Sequence, residues 1–255
     1  EDLMRDLTAL IDELVLDAWQ QHLGAHSDVA LYAVGGYGRC EMHPGSDIDL
    51  LVLAARPEKL REPIEDFLRD VFDLNVEVGH SVRDVKSCLQ QAKDDITVAT
   101  ALLERRFMAG DQRLVKKLDN KLQPDRIGSA EDFFRAKYFE QTTRHANYLD
   151  TDYNLEPNVK TSPGGLRDIH TALWVCLRQF ATADPKQLVQ LGVLTELEGK
   201  WLMEGRRFLW WVRFGLHLIA QRKEDQLRFA HQRELAQRLG FVDTDAKPGV
   251  ESFMH

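Results

Sequence analysis

The stretch from residue 31 to residue 53 limits the possible folds of this chain most, because two apolar runs there enclose a turn that is rich in glycine. The second run carries Asp47 and Asp49, two positions apart. Alternate side chains of a β-strand share a face, so we expect both carboxylates on one face, with Ile48 and Leu50 directed into the protein. Carboxylates held side by side on a strand predict a binding site for a cation.

The composition narrows the class of protein. The chain has 255 residues, of which 44% are hydrophobic and 29% charged, as is typical of soluble folded proteins. Its formal net charge of -8 disfavours a nucleic acid as the main partner, since phosphate backbones bind clustered lysine and arginine. Three widely spaced cysteines predict neither a disulfide framework nor a structural zinc site. No apolar run approaches the roughly 18 residues that span a bilayer, so we expect a cytoplasmic protein without a membrane partner.

The spacing of apolar residues predicts an α/β (α+β) domain at residues 1–125 and an all-α domain at 126–255. The chain ends without a recognisable cap, which suggests a fragment of a longer protein. In the first domain we expect strands at 29–34, 50–53 and 73–79, and helices at 2–23, 58–72, 82–109 (broken near 93–95) and 111–122. In the second we expect helices at 129–150, capped by Ser129 and Asp132, and at 167–181, 185–192, 194–222 and 231–239, with Gly240 as the last stop.

A third carboxylate belongs to the strand predicted at 73–79. Apolar and polar residues alternate strictly there, so Glu77 is expected on the polar face. If this strand lies beside the strand that carries Asp47 and Asp49, all three carboxylates can converge on one site. An ordinary solvent-facing glutamate explains the pattern equally well.

These residues suit phosphoryl transfer. Carboxylate oxygens bind hard divalent cations, and two such ions about 3.5 to 4 Å apart stabilise the attacking and leaving oxygens of a displacement at phosphorus. Gly35 and Gly36 would let backbone N–H groups approach a triphosphate closely, and Ser46 would add a hydroxyl. A glycine pair followed by Asp-x-Asp between two strands is a specific combination, although each part alone is weak.

A second candidate phosphate site lies in the loop at residues 153–170. Lys160, Ser162 and Arg167 come at the start of a predicted helix, where backbone N–H groups and the helix dipole favour an anion. A capped turn between helices is the alternative, in which Ser162 or Asp168 satisfies free N–H groups.

Both segments resemble one family. The Gly-Gly and Asp-x-Asp pair resembles the nucleotidyltransferase fold shared with DNA polymerase beta, and the fuller string at 35–49 is similar to the bifunctional PII uridylyltransferase/uridylyl-removing enzymes. Lys-x-Ser-Pro-Gly-Gly-Leu-Arg-Asp-Ile at 160–169 is similar to the same family. The resemblance implies a nucleotidyltransferase domain with a small mixed sheet, followed by a helical domain that completes the nucleotide site and docks the protein substrate.

The resemblance also implies an activity that regulates nitrogen metabolism. UMP would pass from UTP to a tyrosine hydroxyl of the signal protein PII, with Mg²⁺ or alternatively Mn²⁺ as cofactor. The metal-binding and catalytic residues would be Asp47, Asp49 and Glu77. The nucleotide would contact Gly35, Gly36, Arg39, Ser46, Lys160, Ser162, Gly164, Gly165, Arg167 and Asp168. The family's HD and ACT modules have no counterpart here, and no His-Asp dipeptide occurs, so we expect no uridylyl-removing activity.

One residue departs from the family pattern, which has glycine after the motif arginine where this chain has Cys40. If that position needs a positive φ angle, cysteine strains the loop by roughly 1 to 2 kcal/mol. If it needs only a small residue, cysteine is tolerated.

Other functions remain open from the sequence. A protein adenylyltransferase of the type that modifies glutamine synthetase would use the same chemistry, and a non-catalytic nucleotide-binding module would use the same fold. An RNA-tailing enzyme is disfavoured by the acidic composition and the lack of a basic stripe interleaved with aromatic residues. The aromatic residues at 201–214 predict core packing, with a docking face as the alternative.

Overall fold

The first of two structural units, residues 1–134, contains a sheet, and the second, residues 135–255, is helical. A computed structural model describes residues 2–122, 127–148 and 155–254. This arrangement, a small mixed sheet followed by a helical region, confirms the predicted fold class. The predicted end of the long helix at 150 and the first residues of the loop from 153 lie outside the described residues.

The described residues of the first unit form the strands β1 (Val29–Ala33), β2 (Ile48–Ala54), β3 (Val78–Arg83) and β4 (Arg106–Gly110). These strands make one sheet in the order β3-β2-β1-β4. β2 and β4 both run antiparallel to β1, whereas β3 runs parallel to β2.

The helices of the first unit are α1 (Asp2–His22), α2 (Gly35–Gly38), α3 (Arg61–Phe72), α4 (Val85–Asp94), α5 (Ile96–Leu103) and α6 (Gln112–Lys121), with a short 3₁₀ turn at Pro57–Lys59. The apolar stripes of α1 and α3 share a core with inward-facing residues of β1 and β2. Trp19 of α1 meets Phe67 of α3 edge to face, with ring centroids 5.8 Å apart. Packing against α1 and α3 therefore holds β1 and β2 in position, including the ends of these strands.

Two predictions in this unit were wrong. The strand predicted at 73–79 lies at 78–83, because Asn75 takes a left-handed φ of 57° and pairing with β2 begins only at Val78. Leu74 and Val76 still pack against the core from the preceding turn, which explains the misleading alternation. Residues 106–110 are β4 and not the end of a helix, because pairing with β1 outweighs a weak local pattern.

One core of the second unit is formed by residues of α10 (Glu196–Ala220), α11 (Phe229–Arg238) and α12 (Gly249–Met254), together with Val159 and Leu227. Their bounds mostly agree with the prediction, but the helix after Gly240 was missed. The predicted cap of α7 is confirmed, since the Asp132 N–H donates to Ser129 Oγ at 3.0 Å. The described helices from residue 130 onward are α7 (Ala130–Ala146), whose first residues belong to the first unit, α8 (Leu166–Phe180), α9 (Pro185–Gln190), α10 (Glu196–Ala220), α11 (Phe229–Arg238) and α12 (Gly249–Met254).

The aromatic residues of α10 divide between core and surface. Trp210 is buried, as core packing requires, whereas Trp201 and Trp211 are 61% and 55% exposed. Core packing therefore explains only part of this aromatic cluster. Among residues 2–122, 127–148 and 155–254, no helix combines the length and apolar character needed to cross a membrane.

Candidate active site

Three acidic residues lie at neighbouring positions where β2 and β3 begin. Ile48 pairs with Val78, and the Ile48 N–H donates to the Glu77 carbonyl oxygen at 2.8 Å. Asp47 and Glu77 therefore immediately precede two adjacent parallel strands, and Asp49 pairs with Gly79. We call Asp47, Asp49 and Glu77 the acidic edge.

The alternation of β2 is as predicted, since Ile48 and Leu50 are buried while Asp49 is partly exposed. The acidic edge consequently lies on the opposite face of the sheet from these apolar side chains. Within the described ranges, no three Asp, Glu, His or Cys side chains are gathered closely enough to hold a metal ion. The backbone thus brings the three acidic positions together, and the metal role of their side chains stays a prediction.

Two glycines make room for the carboxylate of Asp49. A β-carbon at Gly79 would lie 2.4 Å from Asp49 Oδ1, and one at Gly35 would lie 2.9 Å from Asp49 Oδ2. Both distances are too short for a real side chain, so Asp49 can keep this position only between glycines. Sequence reasoning missed Gly79, although the alternation of residues 73–79 had already placed it on the same face as Glu77.

The turn predicted at Gly35 and Gly36 is the one-turn helix α2 and not an irregular stretch. Gly35 starts it with a φ of 60°, which glycine adopts without strain. The helix ends in a Schellman motif, in which the Cys40 N–H donates to the Tyr37 carbonyl and the Glu41 N–H to the Gly36 carbonyl. The motif places Cys40 at a φ of 58°, so the condition for backbone strain at this position is met.

Arg39 is held by two carboxylates. Its Nε donates to Glu41 at 2.8 Å, and its Nη1 donates to both oxygens of Glu104 at 2.7 Å. Burial lowers the pKa of Arg39. The charges of Glu41 and Glu104 and their hydrogen bonds raise it by more, so the guanidinium is always charged. These contacts tie the motif loop to the end of α5, and they favour a positioning role over direct nucleotide contact.

Ser46 closes a tight turn before the acidic edge. The His43 N–H donates to Ser46 Oγ at 2.9 Å, and the Ser46 N–H donates to the His43 carbonyl at 2.9 Å. A hydroxyl that accepts one hydrogen bond can still donate another. The hydroxyl of Ser46 is therefore compatible with the predicted phosphate contact.

The predicted phosphate loop of the second unit is ordered by its own backbone. Ser162 Oγ accepts the Asn158 N–H at 2.7 Å, and Asn158 Oδ1 accepts the N–H groups of Lys160 and Thr161. A β-carbon at Gly165 would lie 2.9 Å from the Ser162 carbonyl oxygen, so this position needs glycine. Ser162 thus organises the loop as in the capped-turn alternative, while Gly164 has open space around its α-carbon.

Asp168 joins this loop to α7. Its carboxylate accepts hydrogen bonds from Arg144 at 2.7 Å, Gln141 at 2.9 Å and the Gly164 N–H at 2.7 Å, and His145 Nε2 lies at 3.0 Å. Burial raises the pKa of Asp168, but these hydrogen bonds outweigh it and lower the pKa. The geometry favours a role in shaping the loop, and sequence reasoning missed the three partners on α7 because they lie more than 20 residues away.

Arg167 and Lys137 share an aromatic neighbour. The Arg167 guanidinium carbon lies 5.3 Å from the centroid of the Trp174 ring, and Lys137 Nζ lies 4.4 Å from it. Cations at such distances are attracted by the face of the ring. Trp174 therefore orients Arg167 at the first turn of α8.

Comparison with known proteins finds a matching family model for a large part of each unit. Residues 13–103 match the family model described as the nucleotidyltransferase domain, and residues 132–255 match the one described as GlnD PII-uridylyltransferase. The mixed sheet, the glycine pair and the acidic edge thus belong to a nucleotidyltransferase domain.

Curated relatives narrow the assignment. Proteins called bifunctional uridylyltransferase/uridylyl-removing enzyme match over 99% of this chain, at 47% identity in Stutzerimonas stutzeri strain A1501 and 48% in Pseudomonas fluorescens strain SBW25 and Azotobacter vinelandii strain DJ. The chain is similar to the PII-uridylyltransferases over nearly its whole length, which confirms the resemblance described above. It spans 28% of the length of these relatives.

Proposed function

We propose that the acidic edge transfers UMP from UTP to a tyrosine hydroxyl of a PII signal protein in the cytoplasm. The tyrosine oxygen attacks the α-phosphorus, the bond from that phosphorus to the bridging oxygen breaks, and pyrophosphate leaves. Glu77 accepts the tyrosine proton. The parallel register of β2 and β3 carries the proposal, because it puts the three acidic residues side by side on one face. Similarity to the PII-uridylyltransferases supports the choice of UTP as the nucleotide and of PII as the acceptor.

The carboxylate chemistry of the acidic edge suits a hard divalent cation. Carboxylate oxygens are the ligands that Mg²⁺ and Mn²⁺ prefer, and Gly35 and Gly79 leave the carboxylate of Asp49 the space it occupies. Asp47, Asp49 and Glu77 would hold the ion. When bound, such an ion polarises phosphoryl oxygens and neutralises charge on the leaving group.

The remaining residues bind or position the nucleotide. In the first unit, Gly35, Gly36 and Ser46 receive phosphate oxygens, and Arg39 holds the motif loop through Glu41 and Glu104. In the second unit, the cationic residues Lys160 and Arg167 bind phosphate or pyrophosphate oxygens. The loop that presents them is shaped by Ser162, Gly164, Gly165 and Asp168.

A label-transfer assay tests the proposal. The chain is incubated with UTP labelled at the α-phosphate, Mg²⁺ and a PII protein, and label on PII is counted. We expect transfer by the native chain and a loss of at least 100-fold in Asp49→Asn, because one carboxylate of the acidic edge becomes neutral. The matched control is Asp66→Asn on α3, where a partly exposed aspartate pairs with Arg69 at 2.7 Å. Undiminished transfer by Asp49→Asn would refute the catalytic role of the acidic edge.

The same assay separates the alternatives. If unlabelled ATP competes better than UTP, the chain is an adenylyltransferase. If calorimetry detects nucleotide binding that is independent of Mg²⁺, and no label is transferred, the chain is a non-catalytic binding module.

A further inference from the structure

A buried ionic group lies in the second unit, outside the residues discussed so far. Arg213 Nε donates to Asp225 Oδ1 at 2.7 Å, and His217 Nε2 lies 3.2 Å from the same oxygen. The side chains of His217, Arg213 and Asp225 are only 0%, 9% and 14% exposed. Burial raises the pKa of Asp225, but the His217 hydrogen bond and the charge and hydrogen bond of Arg213 lower it well below the usual range. Asp225 therefore carries a fixed negative charge.

The backbone brings this charge to the phosphate loop. The Val159 N–H donates to the Asp225 carbonyl at 2.8 Å, and Asn158 forms a β-bridge with Gln226. The Leu227 N–H donates to the Pro157 carbonyl at 2.8 Å. The segment after α10 thus pairs with the residues just before Lys160.

Lys160 lies among charges of both signs. Burial lowers its pKa, as do the nearby cations Arg213, Arg167 and Lys223, whereas Asp225 raises it. Cations so close together repel one another, and a neighbouring carboxylate offsets that repulsion. An arriving phosphate group would offset it further, which is the property expected of an anion site.

We propose that Asp225 is the positioning residue of an anion site, formed by Lys160, Arg167 and Arg213, that takes the pyrophosphate part of a nucleotide. Asp225 does not touch the ligand. Its negative charge keeps Lys160 protonated near the cations Arg167 and Arg213 until the phosphate oxygens of the ligand add further negative charge. The inference rests on the proposed function for the identity of the ligand, but it is tested without any transfer reaction.

The test is calorimetric binding of inorganic pyrophosphate, without metal ions, between pH 7 and pH 10.5. For the native chain, affinity should fall as Lys160 loses its proton, with a midpoint below the ordinary lysine pKa of about 10.4. In Asp225→Asn the midpoint should move to lower pH by roughly one unit, because an opposite charge near Lys160 is lost. Asp225→Glu should restore the native midpoint, and Lys160→Met should remove this pH-dependent phase.

Glu234→Gln is the matched control, since Glu234 forms an exposed pair with Arg238 in the same unit, and it should leave affinity and midpoint unchanged. If Asp225→Asn does not fold, Lys223→Met gives an independent measurement, because removing that cation should move the midpoint to higher pH. A native chain that does not bind pyrophosphate, or a midpoint that neither substitution moves, would overturn the inference. Failure of UMP transfer with an intact midpoint shift would instead overturn only the proposed function.

Discussion

Cys40 and Gly240 occupy the same backbone position at the ends of two different helices. Each is the left-handed residue of a Schellman motif, with φ angles of 58° and 87°. At the end of α11 the Gly240 N–H donates to the Gln237 carbonyl and the Phe241 N–H to the Ala236 carbonyl, which repeats the bonding around Cys40. Glycine adopts this conformation freely, whereas cysteine is strained in it.

We therefore expect Cys40→Gly to stabilise the first unit. Relief of strain amounts to roughly 1 to 2 kcal/mol, of which the greater flexibility of glycine in the unfolded chain removes about 0.5 to 1 kcal/mol. The expected net gain of up to about 1.5 kcal/mol can be measured as a rise in the free energy of unfolding in urea. Cys40→Ala keeps the β-carbon and should give no such gain, and Gly240→Ala should lose about 1 kcal/mol. Equal effects of glycine and alanine at position 40 would show that the backbone there is unstrained.

Gly79→Ala should damage the acidic edge more than the fold. Its new β-carbon would displace the carboxylate of Asp49, and a shift of about 1 Å in a reacting group costs on the order of 100-fold in rate. UMP transfer measured at saturating UTP should fall by about that factor. Ser81→Ala, two positions along the same face of β3, should keep nearly full activity. Normal turnover by Gly79→Ala would mean that the position of Asp49 does not matter.

Arg39 and Glu104 should be strongly coupled. Arg39→Ala leaves the carboxylate of Glu104, which is only 4% exposed, without its guanidinium partner, and Glu104→Gln removes the charge. A double-mutant cycle on unfolding free energies should give an interaction energy of about 1 to 3 kcal/mol, because both groups share one network. The exposed pair of Arg61 with Glu65 is the control, and its coupling should be much weaker because solvent screens both charges. Equal coupling in the two cycles would argue against a special role for Arg39 in holding the motif loop.

Asp168 should make stability sensitive to acid. Its pKa is lowered from the ordinary 3.8 in the folded protein, so its contribution is present above that value and is lost as the pH falls through the lower, folded pKa. We expect the unfolding free energy of the native chain to decrease below about pH 4 more steeply than that of Asp168→Asn. Asp184→Asn, at the exposed cap of α9, is a control for the general effect of losing a carboxylate. Parallel curves for the native chain and Asp168→Asn would exclude this contribution.

The face of β2 that carries Asp49 could be predicted because its signal is local. The alternation of apolar and polar residues predicts that Ile48 and Leu50 lie on the buried face of the strand. It also predicts that Asp49 lies on the opposite face. The spacing of Ser129 and Asp132 predicts the start of a helix. The same alternation failed at residues 73–77, where Leu74 and Val76 pack against the core from a turn. A local pattern cannot distinguish a strand from a turn in which alternate residues also pack against the core.

What could not be predicted depends on contacts between distant parts of the chain. Three partners of Asp168 lie on α7, and Arg39 pairs with Glu104 at the end of α5. Asp225 comes near Lys160, 65 residues earlier in the sequence, through the β-bridge between Asn158 and Gln226. Each is an ordinary charged residue in sequence. Their roles follow from which buried charges need compensation once the helices have packed.

The parallel register of β2 and β3 also has a consequence for folding kinetics. Asp47 and Glu77 are separated by 30 residues, and α3 forms within that interval. Closing a loop of this length costs entropy before any pairing energy is gained, and parallel pairs form late for this reason. The acidic edge therefore does not exist in a chain that has only its hairpin of β1 and β2, and recovery of UMP transfer during refolding should follow the slow joining of β3.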